Sequence, residues 1–281
     1  MKILLADNAG FCWGVKRVVK LTDELIEKGE KPIFTHGPLI HNRSVIKRLT
    51  KKGVRVLPEN FEGTIKKGNS IIIRAHGIPP EEKDRLERTG GKIVDGTCPH
   101  VVKIQKEVQK AYNSGSAVII LGDKGHAEVV GLMGFCPENC FIASSEKDVE
   151  KISTDLPVTV VVQSTLDEET FNILSGLIKK KFSDVKIINT RCDATTRRQN
   201  EAINLCKEVD LMIVIGGKDS ANTNRLAKIC ADENVKTLHI ETAAELETVD
   251  FKRVEAVGIT AGASTPDWII EEVVEAVVRG P

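Results

Sequence analysis

The sequence predicts an α/β protein built from three pseudo-equivalent small domains with mostly parallel sheets. Two observations lead to this prediction. Short β-branched runs alternate with segments of helical periodicity along the 281 residues, which is typical of βαβ units. A strand–cysteine–helix pattern also occurs three times, at Cys12, Cys98 and Cys192, with spacings of 86 and 94 residues. Repeats of this length indicate small domains, and because no Pro-, Gly- or Ser-rich linker separates them, we expect them to pack on one another.

Short apolar runs predict four strands for each repeat. In chain order the runs are 2–6, 32–36, 54–57, 70–73, 92–94, 117–121, 140–143, 159–162, 186–188, 211–215, 237–240 and 256–259. The run 118–121 is apolar at every position, as expected of a parallel strand that is covered on both faces. The repeats predict domain ranges of 1–97, 98–189 and 190–281.

Cys12, Cys98 and Cys192 each stand where a predicted strand ends and a helix begins, before helical segments 13–25, 99–112 and 193–206. In open parallel sheets ligands bind at the carboxyl ends of the strands, where helix N-termini point. The positive end of a helix dipole favours thiolates, the form of cysteine that attacks electrophiles and binds metals. Three thiolates without a fourth fit either a catalytic metal with an open position or an iron–sulfur cluster with one iron lacking a protein ligand. Their wide separation in sequence favours the cluster.

The other four cysteines carry weaker signals. Cys136 and Cys140 have a spacing that can hold a metal, but no second pair accompanies them, so we expect a structural or incidental role. Cys206 and Cys230 lie within apolar helical patterns and are expected in the core. An odd number of scattered cysteines does not predict a disulfide framework.

Several polar residues lie on the same predicted rim as the three cysteines. They are His41, His76, His126, Ser164, Thr165, Ser220, Asn222 and Ser264. A single histidine beside a glycine turn is more often a helix cap, but three histidines together with hydroxyls and an amide predict an anion site. The sequence holds neither a P-loop motif nor a dinucleotide-binding G-x-G-x-x-G motif, which argues against both classes of nucleotide site.

Glu128 follows His126 by two residues and is a candidate proton donor. Burial and neighbouring negative charge would raise the pKa of a carboxyl at such a site. The alternative is an acid in the first turn of a helix that serves only to stabilise the helix dipole.

Charge and composition exclude other classes. Forty basic residues balance forty acidic ones, which removes the usual electrostatic reason to propose a nucleic-acid or membrane-surface partner. No apolar run reaches the roughly 18 residues of a membrane helix, and the apolar start of the chain is too short for a signal peptide. We therefore expect a cytoplasmic protein.

Eight motifs, in order, resemble those of the 4-hydroxy-3-methylbut-2-enyl diphosphate reductase family. They are GFCWGV (10–15), GPLIHN (37–42), RAHG (74–77), DGTCP (95–99), GHAEV (125–129), CDATTRRQ (192–199), SANTNRL (220–226) and TAGAS (260–264). The motifs cover essentially the whole chain. Two positions depart from the family pattern: Ser164 stands where a threonine is common, and Ala221 replaces a serine of some members.

The resemblance implies a trefoil of three domains around a central site. It implies one [4Fe–4S] cluster held by Cys12, Cys98 and Cys192, with one open iron for the substrate's hydroxyl, and Glu128 as the source of protons. The implied diphosphate ligands are His41, His76, His126, Ser220, Asn222 and Ser264, with Ser164 and Thr165 also in the substrate site.

The implied reaction is a reductive dehydroxylation that takes up two electrons and two protons. It converts the allylic alcohol diphosphate into isopentenyl and dimethylallyl diphosphate, the last step of the non-mevalonate pathway. The electrons would come from an external one-electron donor of ferredoxin or flavodoxin type.

Two other classes remain open at the level of the sequence. One is an iron–sulfur sensor or electron carrier without substrate chemistry, which would need the three cysteines but not the phosphate-type donors beside Glu128. The other is a module that binds a phosphate ligand and has structural cysteines. The colour and spin-resonance spectrum of anaerobically purified protein, with and without the diphosphate, separates these classes from the reductase.

Overall fold

The computed structural model describes residues 1–30, 32–59 and 61–280. Within these ranges the chain forms twelve strands: β1 (Lys2–Leu5), β2 (Ile33–His36), β3 (Val54–Leu57), β4 (Ser70–Ile73), β5 (Lys92–Asp95), β6 (Ala117–Leu121), β7 (Cys140–Ala143), β8 (Val158–Val162), β9 (Val185–Ile187), β10 (Leu211–Ile215), β11 (Lys236–Ile240) and β12 (Ala256–Ala261). Each predicted run overlaps one of these strands, with ends that differ by at most two residues.

Helices alternate with the strands, as the sequence predicts, except that no helix is described between β3 and β4. They are α1 (Trp13–Glu27), α2 (Arg43–Lys51), α3 (Pro80–Arg88), α4 (Pro99–Asn113), α5 (Ala127–Met133), α6 (Glu146–Lys151), α7 (Glu168–Lys181), α8 (Asp193–Cys206), α9 (Ala221–Asp232) and α10 (Asp267–Arg279), with a 3-10 helix at Ala243–Leu246. No helix in the described part of the chain is long and apolar enough to cross a membrane.

The strands form three parallel sheets of four strands with the same strand order. The first sheet runs β3-β2-β4-β5, the second β7-β6-β8-β9 and the third β11-β10-β12-β1. The strands β6, β8 and β10 are buried at every position, because helices cover both faces of such a sheet. The predicted α/β class with three parallel sheets is therefore confirmed.

The first strand belongs to the third sheet and not to the first. β1 pairs with β12, with Lys2 opposite Ala256 and Leu5 opposite Ile259. In all three sheets the edge strand next to β4, β8 or β12 is the one that leads to a cysteine. The range 98–189 contains the whole second sheet, whereas β1 lies in the range 1–97 but pairs in the third sheet. As domain ranges, 1–97, 98–189 and 190–281 stay a prediction.

The chain divides into two compact units. The first unit comprises residues 1–16, 40–48 and 193–281, and it contains the third sheet. The second unit comprises residues 17–39 and 49–192, and it contains the first and second sheets.

Candidate active site

The three cysteines occupy equivalent positions, each between an edge strand and the helix that follows it. β1, β5 and β9 end a few residues before Cys12, Cys98 and Cys192, and α1, α4 and α8 begin directly after them. All three thiols are half-buried and lie outside any disulfide. Cys98 is the residue that caps α4, and a proline follows it in the first helical position. The order of strand, cysteine and helix that the sequence predicts is thus present at all three positions in the fold.

Main-chain hydrogen bonds tie each cysteine to the loop after the neighbouring strand of its sheet. The N–H groups donate from Cys12 to Ala263 O (3.1 Å), from Cys98 to Ala75 O (2.9 Å) and from Cys192 to Ser164 O (2.9 Å). These acceptor loops carry Ser264, His76 and Ser164, all of which the sequence assigns to substrate binding. Each thiol therefore stands beside a predicted ligand-binding loop within its own unit.

In the second unit, Glu128 lies near the start of α5 and is 1% exposed. Its Oε1 accepts a hydrogen bond from Ser164 N at 2.7 Å and its Oε2 accepts one from Ser164 Oγ at 2.6 Å. Burial raises the pKa of the Glu128 carboxyl, and the two hydrogen bonds from Ser164 offset only part of this effect. The upward shift of this pKa agrees with the sequence prediction, and burial is its largest cause.

His126 caps α5, and its Nδ1 accepts a hydrogen bond from Glu128 N at 3.2 Å. Because Nδ1 accepts, Nε2 is the ring nitrogen that carries hydrogen in the neutral form. The centre of the His126 ring lies 5.4 Å from that of His76 in an edge-to-face arrangement. The loops can approach closely because Gly134, after α5, has no side chain, and a Cβ there would collide with Pro79. The second unit thus gathers two histidines next to the buried acid.

Ser164 and Thr165 are engaged in the second unit. The Ser164 hydroxyl donates to Glu128, and Thr165 Oγ1 accepts from Gln163 Nε2 at 2.9 Å. Gln163, which the sequence reasoning did not single out, is fully buried, and its Oε1 accepts from Asp123 N at 2.7 Å. Gln163 thus links Thr165 to the loop at Asp123. The sequence signal for this link is the position of Gln163 between a buried strand and the Ser164–Thr165 pair.

In the first unit, four predicted ligand residues come from three loops. Ser264 Oγ donates to His41 O at 3.2 Å, which joins two of these loops. Ser220 is buried and caps α9, where its hydroxyl accepts from Thr223 N at 3.4 Å. The buried Nδ2 of Asn222 has no hydrogen-bond partner among the described residues. An unsatisfied buried amide donor next to a helix N-terminus is suited to an anionic ligand.

The side chains available for a cofactor are three thiols, which suit iron–sulfur chemistry better than oxygen-preferring metals. Their positions at helix starts and the hydrogen bonds of their N–H groups fit that role. In the ranges that the structure describes, no three His, Cys, Asp or Glu side chains are grouped so as to hold a metal ion. The assignment of the thiols therefore depends on their chemistry and their equivalent positions.

The remaining cysteines have other environments. Cys136 and Cys140 are joined by a disulfide, a local pair that the sequence did not predict because a spacing of four residues does not reveal the oxidation state. Cys206 and Cys230 are buried between α8 and α9, as predicted, and Cys206 Sγ lies 3.9 Å from Cys230 O.

The fold places thiols, histidines, hydroxyls and a buried acid at the carboxyl ends of parallel strands, an arrangement typical of an α/β enzyme. The LytB protein family model matches residues 3–278, and the chain belongs to this family.

Two curated relatives match over nearly their full length. The 4-hydroxy-3-methylbut-2-enyl diphosphate reductase of Thermoanaerobacter sp. (strain X514) is 43% identical over 278 residues, which are 99% of this chain and 96% of the relative. The enzyme of the same name from Aquifex aeolicus (strain VF5) is 43% identical over 274 residues, which are 96% of this chain and 94% of the relative. The resemblance that the eight motifs indicate is confirmed.

Two solved structures are similar. The E-1-hydroxy-2-methyl-but-2-enyl-4-diphosphate reductase from Plasmodium falciparum has a TM-score of 0.92 at 28% identity, covering 100% of this chain and 88% of that one. A structure of (E)-4-hydroxy-3-methyl-but-2-enyl diphosphate reductase, the terminal enzyme of the non-mevalonate pathway, has a TM-score of 0.73 at 41% identity and full coverage of both chains.

Proposed function

We propose that the protein is a 4-hydroxy-3-methylbut-2-enyl diphosphate reductase. It converts this allylic diphosphate into isopentenyl and dimethylallyl diphosphate, the last step of the non-mevalonate pathway. The full-length similarity to curated reductases of this name supports the substrate and the reaction. The observation that carries the proposal is the bonding of Ser164, which donates twice to Glu128 and accepts from the N–H of Cys192. One residue thus connects the candidate acid to a candidate cofactor ligand.

Cys12, Cys98 and Cys192 would hold one [4Fe–4S] cluster with one open iron. When bound, such a cluster supplies single electrons, received from an external donor of ferredoxin or flavodoxin type, and a Lewis acid for the departing hydroxyl. The equivalent positions of the three thiols within their sheets support this assignment. Thiols that must stay reduced fit the cytoplasm, which is where we propose that the enzyme works.

Glu128 supplies the proton that allows the hydroxyl to leave as water. Its raised pKa means that the carboxyl keeps its proton to higher pH than an exposed glutamate does. The Ser164 hydroxyl can turn from donor to acceptor, so Oε2 of Glu128 can carry the proton while Oε1 still accepts from Ser164 N. Ser164 therefore orients the acid in both protonation states.

The diphosphate is bound by neutral donors and imidazoles. The proposed ligands are His41, His76, His126, Ser220, Asn222 and Ser264, with Ser164 and Thr165 as further substrate-binding residues. The unsatisfied Nδ2 of Asn222 and the Nε2–H of His126 support this assignment, because both are donors that a phosphate oxygen can accept from. Backbone N–H groups at the start of α9 add to the field that attracts an anion.

The experiment that tests the proposal is anaerobic purification and reconstitution, followed by spin-resonance spectra with and without the diphosphate substrate. A reductase shows a cluster signal that changes with substrate and converts the substrate when a reduced dye is supplied. A cluster signal that is indifferent to substrate, without turnover, would indicate an electron carrier. A colourless protein that binds diphosphate would indicate the phosphate-binding module.

A further inference from the structure

Each cysteine-bearing loop is held by a side chain from the helix that follows another cysteine. The contacts are Arg17 Nη1 to Gly96 O and Thr97 O (both 3.3 Å), His100 Nε2 to Thr190 O (2.8 Å), and Arg198 Nε to Asn8 O (2.9 Å) with Arg198 Nη2 to Gly10 O (2.8 Å). The acceptors are carbonyls in every case, so the side chains donate. The acceptor residues lie one to four positions before Cys98, Cys192 and Cys12.

The three contacts form a cycle along the chain. The helix after Cys12 holds the loop before Cys98, the helix after Cys98 holds the loop before Cys192, and the helix after Cys192 holds the loop before Cys12. Each contact lies within one of the two compact units. The residue that donates to the loop is an arginine in two of the three contacts and a histidine in the third. The position of the contact therefore recurs with the repeat, although the type of residue does not.

Arg198 makes the strongest of these contacts. Its side chain is 3% exposed, and two of its nitrogens donate to two different peptide groups of the loop 8–10. A buried guanidinium is costly unless hydrogen bonds replace its water, so these carbonyls and the cation stabilise each other. Gly10, one of the acceptors, has a φ of +90°, a conformation that only glycine adopts readily. Arg198 therefore adds side-chain contacts to a loop whose main chain is also bonded from Gly10 N to Ala261 O and from Cys12 N to Ala263 O.

We infer that Arg17, His100 and Arg198 are positioning residues that fix the three cysteine loops for the cofactor, and that the two arginines also favour its reduced state by their positive charge. The inference rests on the proposed function, because it takes the three cysteines to be cluster ligands. The neighbouring Arg197 is exposed and makes none of the contacts described above, which provides a matched comparison.

The first test uses the iron-free full chain, so that the loop is measured apart from the cofactor. Amide hydrogen exchange at Cys12, whose N–H is bonded to Ala263 O, reports the opening of the loop. We expect Arg198→Met to raise this exchange rate by about tenfold or more, the size expected for losing hydrogen bonds from a charged donor. Arg197→Met removes the same charge from the same helix and should leave the rate unchanged. Equal exchange rates at Cys12 in the two variants would contradict the inference that Arg198 fixes this loop.

The second test uses the reconstituted protein. Arg198→Met and Arg17→Met should release iron to a chelator at least about tenfold faster than wild type. They should also have more negative midpoint potentials, because a positive charge favours the reduced cluster. Arg198→Lys keeps the charge with fewer donors, so it should retain the potential while releasing iron faster. Arg197→Met and Lys20→Met are the charge-matched controls, because Lys20 is an exposed residue of α1, the helix of Arg17, as Arg197 is of α8.

Unchanged iron release and potential in both Arg198→Met and Arg17→Met would contradict the inference, and Arg17→Met keeps the test decisive if the buried Arg198 is needed for folding. Wild-type protein that binds no cluster would contradict the proposed function. In that event the exchange measurement still decides whether Arg198 holds the loop before Cys12. A potential that shifts equally in the control variants would contradict the specific role of the two arginines.

Discussion

Ser164 and Glu128 form a two-point contact, in which both the N–H and the hydroxyl of the serine donate to the buried carboxylate, at 2.7 and 2.6 Å. The carbonyl of the same serine accepts from Cys192 N at 2.9 Å. All three polar groups of Ser164 are therefore used to fix the candidate acid relative to a candidate cofactor ligand. Threonine would provide the same hydroxyl and the same main-chain groups at this position, so either residue can make these contacts.

The Ser164 hydroxyl lowers the pKa of Glu128, against the larger effect of burial. Replacing Ser164 by alanine removes this hydrogen bond and keeps the one from the main chain. The pKa of Glu128 should then rise, and the pH at which turnover falls through loss of its proton should move upward. A pH profile of turnover checks this, with Ser164→Thr as the control that restores the hydroxyl. Identical pH profiles for the alanine variant and wild type would mean that the Ser164 hydroxyl does not affect the pKa of Glu128.

Glu128→Gln should change how stability depends on pH. An unfolded glutamate titrates at about pH 4.3, and burial raises the folded-state pKa above that value. Between these two pKa values the folded state binds more protons than the unfolded state, so the free energy of unfolding falls as pH rises through this window. The fall is about 1.4 kcal/mol for each pH unit that separates the two pKa values. Glutamine does not titrate, so the variant should gain stability relative to wild type between acid and neutral pH.

Thermal unfolding of the iron-free chain from pH 4 to pH 8 measures this difference. Glu150→Gln, at an exposed position, is the control and should follow wild type. A stability difference between Glu128→Gln and wild type that stays constant from pH 4 to pH 8, or that shifts in favour of wild type as the pH rises, would contradict a raised pKa of Glu128.

The three equivalent cysteines should each be required for the cluster. Serine at position 12, 98 or 192 replaces a thiolate by a weak ligand, so iron and sulfide contents should fall well below those of wild type. Cys206→Ser and Cys230→Ser serve as controls, because these thiols are buried between helices. The assignment fails for any of the three positions at which the serine variant keeps a full cluster.

Diphosphate affinity should fall when His41, His126 or Ser264 is replaced by alanine. Hydrogen bonds to a charged group contribute about 1.5–3 kcal/mol, so each change should weaken binding roughly ten- to a hundredfold. Calorimetry with inorganic diphosphate measures this without turnover. Ser114→Ala, in the turn after α4, is a suitable control, since among the described residues its hydroxyl bonds to Ala111 O and to Ser116. Wild-type affinity in all three site variants would mean that the anion binds elsewhere.

Much of the fold could be predicted from the sequence because each strand is a short apolar run next to a polar turn. The runs around Val118 and Ile213 are buried along their whole length, which leaves a strong local signal. The pairing of β1 with β12 could not be predicted in the same way. The two strands are separated by some 250 residues, and nothing local in Lys2–Leu5 shows which sheet it joins.

The candidate site could be predicted in part for a similar reason. Strand-end positions are visible in the sequence, so Cys98, His126 and Glu128 could be proposed from their neighbours. The contacts of Arg17 and Arg198 could not, because an arginine within a helix is more often a solvated charge. The direction of the Ser164 hydroxyl also depends on a residue 36 positions away.

The turnover of Glu128→Gln with the diphosphate substrate decides whether this buried acid supplies the proton. It is measured anaerobically by oxidation of a reduced dye, with the cluster spectrum recorded on the same sample. Positioned acid catalysis contributes about 10²–10⁴-fold, so we expect turnover to fall by at least that order while the cluster stays intact and the substrate still binds. Turnover close to wild type in a variant with an intact cluster would contradict this mechanism, because the proton would then come from another group.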